Sequence, residues 1–142
     1  MIVFCDTSAL MKLYAAEQHS DWTRQRLSAA SHCVVSQITS VEMCAAFGLK
    51  PRTQQVSAAQ AKAALKRLHA EWGMFVHLGL DAALLNLAGE LALRFGLRAY
   101  DSVQLASAQQ AHVQMGAAMA FCCFDKQLNA AADALGMALL QP

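Results

Sequence analysis

Short, wholly apolar runs and longer stretches with helical apolar spacing take turns along this chain. The first run, Ile2 to Cys5, is too short for a helix and apolar on both faces, as a strand inside a parallel sheet would be. Comparable strand candidates are His32 to Ser36, Met74 to Leu78, the MAFCCF run within Ala117 to Phe124, and Met137 to Leu140. Between them the spacing predicts helices. Ser8 to Ala16 places Leu10, Leu13 and Tyr14 on one face, and Asp21 to Ala30 follows with Ser20 as its cap. A third helix runs from Thr39 or Ser40 through Gly48, with Val41, Cys44, Ala45 and Phe47 as its apolar positions. Ser57 opens an alanine-rich helix to about Trp72, with Ala61, Leu65, Leu68 and Trp72 on one side. Asp81 caps Ala82 to Phe95, which stops at Gly96. Two more helices begin at Tyr100-Asp101-Ser102 and at Lys126, the latter ending at Leu135 before Gly136.

Strands alternating with helices imply right-handed crossovers and a mainly parallel sheet with helices on both faces. The expectation is a single α/β domain spanning residues 1–142, without repeat or internal linker.

Composition narrows this picture without changing it. At 56% apolar and 15% charged residues the chain is not a disordered tail, and no apolar run approaches the roughly 18–20 residues that span a membrane. Met1 to Phe4 carries no basic residue and Asp6 follows at once, so no secretory signal is expected and the protein reads as cytoplasmic. The five cysteines show no C-x-x-C spacing and read as small buried hydrophobes, with Cys122 and Cys123 on opposite faces of a strand. The five histidines show no ligand spacing, and no role is read for them. A net charge of +1 excludes a strong overall field, so any attraction for nucleic acid must come from local patches.

The acidic residues carry the chemistry. Asp6 and Asp125 each sit at the end of an apolar strand, with a helix starting at the next residue, so parallel strands would bring both to one sheet edge. In open α/β sheets that carboxyl edge is where ligands bind. Glu42 lies early in the helix after the second strand, and Asp101 opens a helix that carries no other charge to Gln110. Each has an ordinary structural alternative: a helix cap for Asp6 and Asp125, a cap or dipole partner for Asp101, and the Glu of a T-x-x-E capping box with Thr39 for Glu42. Glu17, Asp21, Glu71, Asp81, Glu90 and Asp133 read as surface residues or caps. Four carboxylates converging on one edge would repel unless a cation occupied the centre, and all-oxygen ligands suit Mg²⁺ or Mn²⁺.

Four segments carry a resemblance: Cys5-Asp6-Thr7-Ser8-Ala9-Leu10, then Ser36 through Thr39 to Glu42, then Leu97 to Ala106 (LRAYDSVQLA), then Phe124-Asp125-Lys126-Gln127-Leu128 with Ala131-Ala132. In order and spacing they resemble the PIN-domain family, and within it the VapC-type toxin ribonucleases of toxin–antitoxin pairs. The resemblance implies a Rossmann-like sheet of five parallel strands and a metal-dependent endoribonuclease. The family's acidic quartet falls on Asp6, Glu42, Asp101 and Asp125, with Asp6 and Asp101 as principal Mg²⁺ ligands, and its small hydroxyl residue on Ser8, with Thr7 beside it. Many relatives carry a further acid after the fourth, where Lys126-Gln127 stand here, which leaves one metal ion or two open. A homodimer, an RNA substrate and a small inhibiting antitoxin are the implied partners. The apolar and basic helix from Ser57 to Trp72 is a candidate antitoxin contact, and Lys12, Lys50, Arg52 and Arg98 are candidate phosphate contacts. Two other readings compete. A phosphatase with Asp6 as nucleophile wants D-x-D, and position 8 is Ser; a non-catalytic binding module would not need four acids.

Overall fold

A computed structural model describes the backbone of residues 1–142 and every side chain except that of residue 117. Five strands form one parallel sheet: β1 (Ile2–Cys5), β2 (His32–Ser36), β3 (Val76–Leu78), β4 (Met119–Cys122) and β5 (Ala138–Leu140), in the order β3-β2-β1-β4-β5. The chain therefore starts in the middle of the sheet, builds outward to one side, and returns to lay β4 on the free edge of β1. That reversal makes the carboxyl ends of β1 and β4 the switch point at which open α/β sheets bind ligands.

Successive strand residues face opposite layers, and both layers are covered. Phe4, Val34 and Phe121 pack against α5 (Ala82–Phe95), α6 (Ala99–Met115) and α7 (Lys126–Ala134). Val3, Val35 and Cys122 pack against α1 (Thr7–Tyr14), α2 (Ser20–Ser28), α3 (Ile38–Leu49) and α4 (Ala58–Glu71). Cys122 and Cys123 serve opposite layers, as their adjacency predicts. The rings of Phe4 and Phe121 stack across β1 and β4 at 5.9 Å, where both strands are fully buried. α6 is buried without interruption from Ser102 to Ala108, so it threads the core instead of lying along the surface. Among the described residues no helix is long and apolar enough to cross a membrane.

Element types agree with the pattern of the sequence throughout, and several expected details do not. Ser20 is the first residue of α2 and not its cap; its hydroxyl instead accepts from Glu17 N–H and donates to the Ala15 carbonyl. α3 begins at Ile38 after Gln37, so neither Thr39 nor Ser40 caps it, and its buried face is Thr39, Met43 and Phe47, whereas Val41, Cys44 and Ala45 are exposed. β4 ends at Cys122, two residues short of Phe124, so Asp125 follows the Cys123-Phe124 link and not the strand itself. Glu17 is not a surface acid: it receives Lys12 from α1 and Lys50 from the end of α3, each at 3.0 Å. Burial works against its charge, and the two ammonium groups more than offset that, holding its carboxyl below the usual range.

Because Phe121 is fully buried at the centre of the sheet and stacked on Phe4, Phe121→Ala should lower unfolding free energy by about 3–5 kcal/mol. Urea denaturation of the variant beside the wild type measures this.

Candidate active site

Asp6 follows β1 directly and continues its ladder, donating its N–H to the Cys122 carbonyl at 3.0 Å. Its side chain then turns back to cap α1. Oδ2 accepts the Ser8 N–H at 3.0 Å, the Ser8 hydroxyl at 2.6 Å and the Cys123 thiol at 3.4 Å. Asp125 caps α7 in the same way, its Oδ1 accepting the Leu128 N–H at 2.8 Å. The helix-cap role and placement at the sheet edge therefore coexist in both residues. Asp101 lies in the first turn of α6, where its Oδ2 accepts from the Arg98 guanidinium at 3.1 Å.

Glu42 is not the acid of a capping box. Its Oε1 accepts from the Thr7 hydroxyl at 2.9 Å and from the Gln104 amide at 2.7 Å. Gln104 is fully buried in α6, and its amide nitrogen also lies 3.0 Å from the Thr7 hydroxyl and 2.8 Å from that of Thr39. Its own oxygen has no partner among the described residues. The amide orientation follows from charge: turned over, that oxygen would face the Glu42 carboxylate. One buried donor thus ties α1, α3 and α6 together beneath the site.

The four carboxylates share a further property. Each anchors one oxygen in the hydrogen bonds just described, and the other oxygen accepts none from the described residues. They also feel one another. Burial pushes the Asp6 carboxyl above its ordinary pKa against the pull of its hydrogen bonds, and the charge of Asp101 adds to the rise. Burial likewise raises Glu42, opposed by Gln104 and Thr7 and reinforced by the charges of Asp6 and Asp101. The Arg98 guanidinium is held in its charged form chiefly by Asp101, with Asp125 and Glu42 contributing at longer range.

No basic side chain forms an ion pair with Asp6 or Glu42 among the described residues. The same residues contain no group of three His, Cys, Asp or Glu side chains already closed around a metal position. The donor set nevertheless fits a hard divalent cation. A carboxylate only 5% exposed, without a counter-cation and with one oxygen free, is costly as it stands and suited to such an ion.

Other expected contacts distribute unevenly. Ser8 links the two strand ends, donating to Asp6 and accepting the Phe124 N–H at 2.9 Å. Lys12 and Lys50 are engaged by Glu17, Arg98 lies on Asp101, and Arg52 is exposed in the turn after α3. Gln104 and Cys123 are the contributors that residue-type reasoning passed over. The available signal was a glutamine on a face of α6 otherwise filled by small and apolar residues.

The PIN domain family model matches residues 3–134. A curated relative, Ribonuclease VapC46 of Mycobacterium tuberculosis, is 32% identical over 140 residues, covering 99% of this chain and 97% of its own length. Among solved structures, the Sarcin-Ricin loop cleaving toxin VapC20 of Mycobacterium tuberculosis shares the fold with a TM-score of 0.71, at 18% identity over 99% of both chains. VapBC2 from Rickettsia felis, solved bound to a DNA fragment from their promoter, has a TM-score of 0.65 at 12% identity, covering 99% of this chain and 98% of that one. The chain belongs to the PIN-domain family, and within it to the VapC type.

Proposed function

We propose that this protein is a divalent-metal-dependent endoribonuclease, the toxin of a VapBC-type pair, that hydrolyses RNA phosphodiester bonds at the edge carrying Asp6, Glu42, Asp101 and Asp125. The observation that supports this most directly is the half-tethered state of all four carboxylates: one oxygen fixed by the fold, the other turned to no protein donor. Residues 1–142 form the nuclease domain in this reading, working in the cytoplasm, where RNA is available.

Asp6 and Asp101 would hold Mg²⁺ (or Mn²⁺), with Glu42 and Asp125 as remaining ligands or water-orienting groups. When bound, the ion supplies Lewis-acid stabilisation of charge on the phosphate and lowers the pKa of water at neutral pH. The residues supply position. Ser8 and Cys123 fix Asp6, while Thr7 and Gln104 fix Glu42, so neither carboxylate reorganises when substrate arrives. Arg98 neutralises part of the carboxylate charge from the solvent side, which lowers the repulsion a phosphodiester meets there.

The antitoxin would bind beside the same edge. Ile38, Val41, Ala45 and Tyr100 form an apolar lip next to Glu42, with Val41 65% and Tyr100 62% exposed. An apolar antitoxin segment seated there would block the approach of RNA. A homodimer is the proposed assembly of the toxin.

Asp6→Asn should abolish Mg²⁺-dependent cleavage of total RNA to below about 1% of wild type, beyond the roughly 10- to 100-fold that losing an outer partner of a metal site costs. Undiminished cleavage would refute the mechanism. Since Asn caps helices about as well as Asp and needs no charge desolvated, the melting temperature in chelator should not fall.

The raised Asp6 and Glu42 carboxyls also set a pH dependence. Their folded pKa values lie above the unfolded ones, so the stability they contribute is present at low pH and lost as pH rises through the folded values. A cation offsets that loss. Mg²⁺ should therefore raise the melting temperature at neutral pH, and the increment should shrink as protons displace it through the raised carboxyl range. Differential scanning fluorimetry across pH tests this.

Gln104→Leu removes the donor that most lowers Glu42. The acid limb of the cleavage profile should move to higher pH, with kcat reduced roughly 10- to 100-fold. A purely structural role would lower activity at every pH without moving that limb.

A further inference from the structure

The connection between α1 and α2 has an unusual build. His19 adopts a left-handed backbone, φ 68°, although it is not glycine. Two buried hydroxyls hold it there. The Thr23 N–H and hydroxyl both donate to the His19 carbonyl at 2.9 Å, and Ser20 pins the preceding turn to Glu17 and Ala15. Strain maintained by surrounding structure points to use. What it presents is an exposed imidazole lying parallel to the Phe124 ring, 5.8 Å between centroids and 15° between planes. Trp22 meets the same Phe124 ring edge-on at 6.2 Å.

This aromatic group is coupled to the proposed catalytic edge through two hydrogen bonds. The Phe124 N–H donates to the Ser8 hydroxyl, which donates to Asp6. Lys12 lies 4.8 Å from the centre of the Phe124 ring and shares Glu17 with Lys50, so two lysines and one glutamate leave a net +1 beside the stack. His19 and Trp22 also line an open depression of about 550 Å³, within the roughly 300–1,000 Å³ range of small-ligand sites. Its charged lining residues are Glu17, which holds Lys12 and Lys50, and Asp21 and Arg24, which pair with each other at 2.8 Å.

We propose that this depression is a subsite for one unpaired nucleobase of the RNA, stacked on His19 next to the cleaved phosphodiester. The inference rests on the ribonuclease reading and names the part of the surface that selects substrate. A planar base extends the Phe124–His19 stack, and the net positive charge of the Lys12–Glu17–Lys50 cluster, whose lysines are only 12% and 17% exposed, attracts its backbone phosphate from behind the depression. Stacking accepts only splayed-out bases, so the subsite favours single-stranded segments over duplex.

His19→Gly is the decisive variant, because glycine adopts the left-handed backbone freely and the fold is retained while the ring is lost. His19→Asn, also tolerant of that backbone, serves as a second ringless version. In an Asp6→Asn background that does not cleave, anisotropy with a short fluorescent single-stranded RNA library should show binding weaker by on the order of tenfold for both, the loss of about one base–aromatic stack. Affinity for a duplex of matching length should stay within about twofold. With intact Asp6, His19→Gly should raise KM at near-constant kcat, and sequencing of cut ends should show relaxed preference at one position beside the cut. Unchanged single-strand affinity and cut-site preference would overturn the subsite, as would equal losses for single strand and duplex. Failure of the wild-type protein to cut RNA at all is a separate result, which removes the ribonuclease reading itself.

Discussion

A carboxylate stripped of water at the end of the central strand is the constraint around which this molecule is arranged. Asp6 follows β1, the strand in the middle of the sheet, and is only 5% exposed. The fold does not remove the cost; it makes it tolerable. The cap geometry of α1 brings the Ser8 N–H and hydroxyl onto one oxygen, and Cys123 crosses over from the end of β4 to the same atom. These bonds lower the carboxyl pKa without overcoming the rise that burial causes. Packing and chemistry here oppose each other, as expected where a site is built into a core edge.

The second determinant is Gln104. A glutamine with no exposure, in the stretch of α6 that is buried without interruption, is hard to justify by packing alone, and its oxygen has no partner among the described residues. What it provides is a fixed donor at the meeting point of three helices. Thr7, Thr39 and Glu42 all lie within hydrogen-bonding distance of one amide nitrogen. The orientation of Glu42 therefore depends on α6 being seated in the core. That couples the position of Glu42 to the packing of α6 against α5 and α7.

Much of this was legible in the sequence because the governing rules are local. Apolar runs too short for helices marked all five strands, and the four acids stood out because each occupied a strand-to-helix junction or an early helical turn. The same locality explains the failures. On α3, Val41 and Ala45 are more apolar than Thr39, so hydrophobicity alone pointed the helix the wrong way. Only the buried network with Gln104 shows that the threonine faces inward. Helix caps and metal ligands draw on the same residue types, so Asp6 and Asp125 could not be sorted by identity, and in the structure both cap their helices. Glu17 looked like a polar break because one partner, Lys50, lies 33 positions away at the end of α3, although the other, Lys12, is only five residues before it. The stack of His19 on Phe124 joins residues more than a hundred positions apart, and no spacing rule reaches that far.

These features bear together on how, in the proposed reading, a nearly neutral protein would hold a polyanion at an acidic edge. The net charge of +1 provides little long-range attraction, and four carboxylates at the site work against it. Arg98 offsets part of that charge locally, but it is already engaged with Asp101. The lysines that could meet phosphate are drawn together by Glu17 at one side of the site, beside the ring of Phe124. Attraction is therefore concentrated on the α1–α2 side and repulsion at the centre, an arrangement that a cation between the carboxylates would reverse. Under such a field, contacts that do not depend on charge carry more of the binding free energy than they would on a basic surface. Base stacking is such a contact and is available to every nucleotide, and the exposed imidazole stacked on the ring that Lys12 contacts is held in place by Ser20 and Thr23.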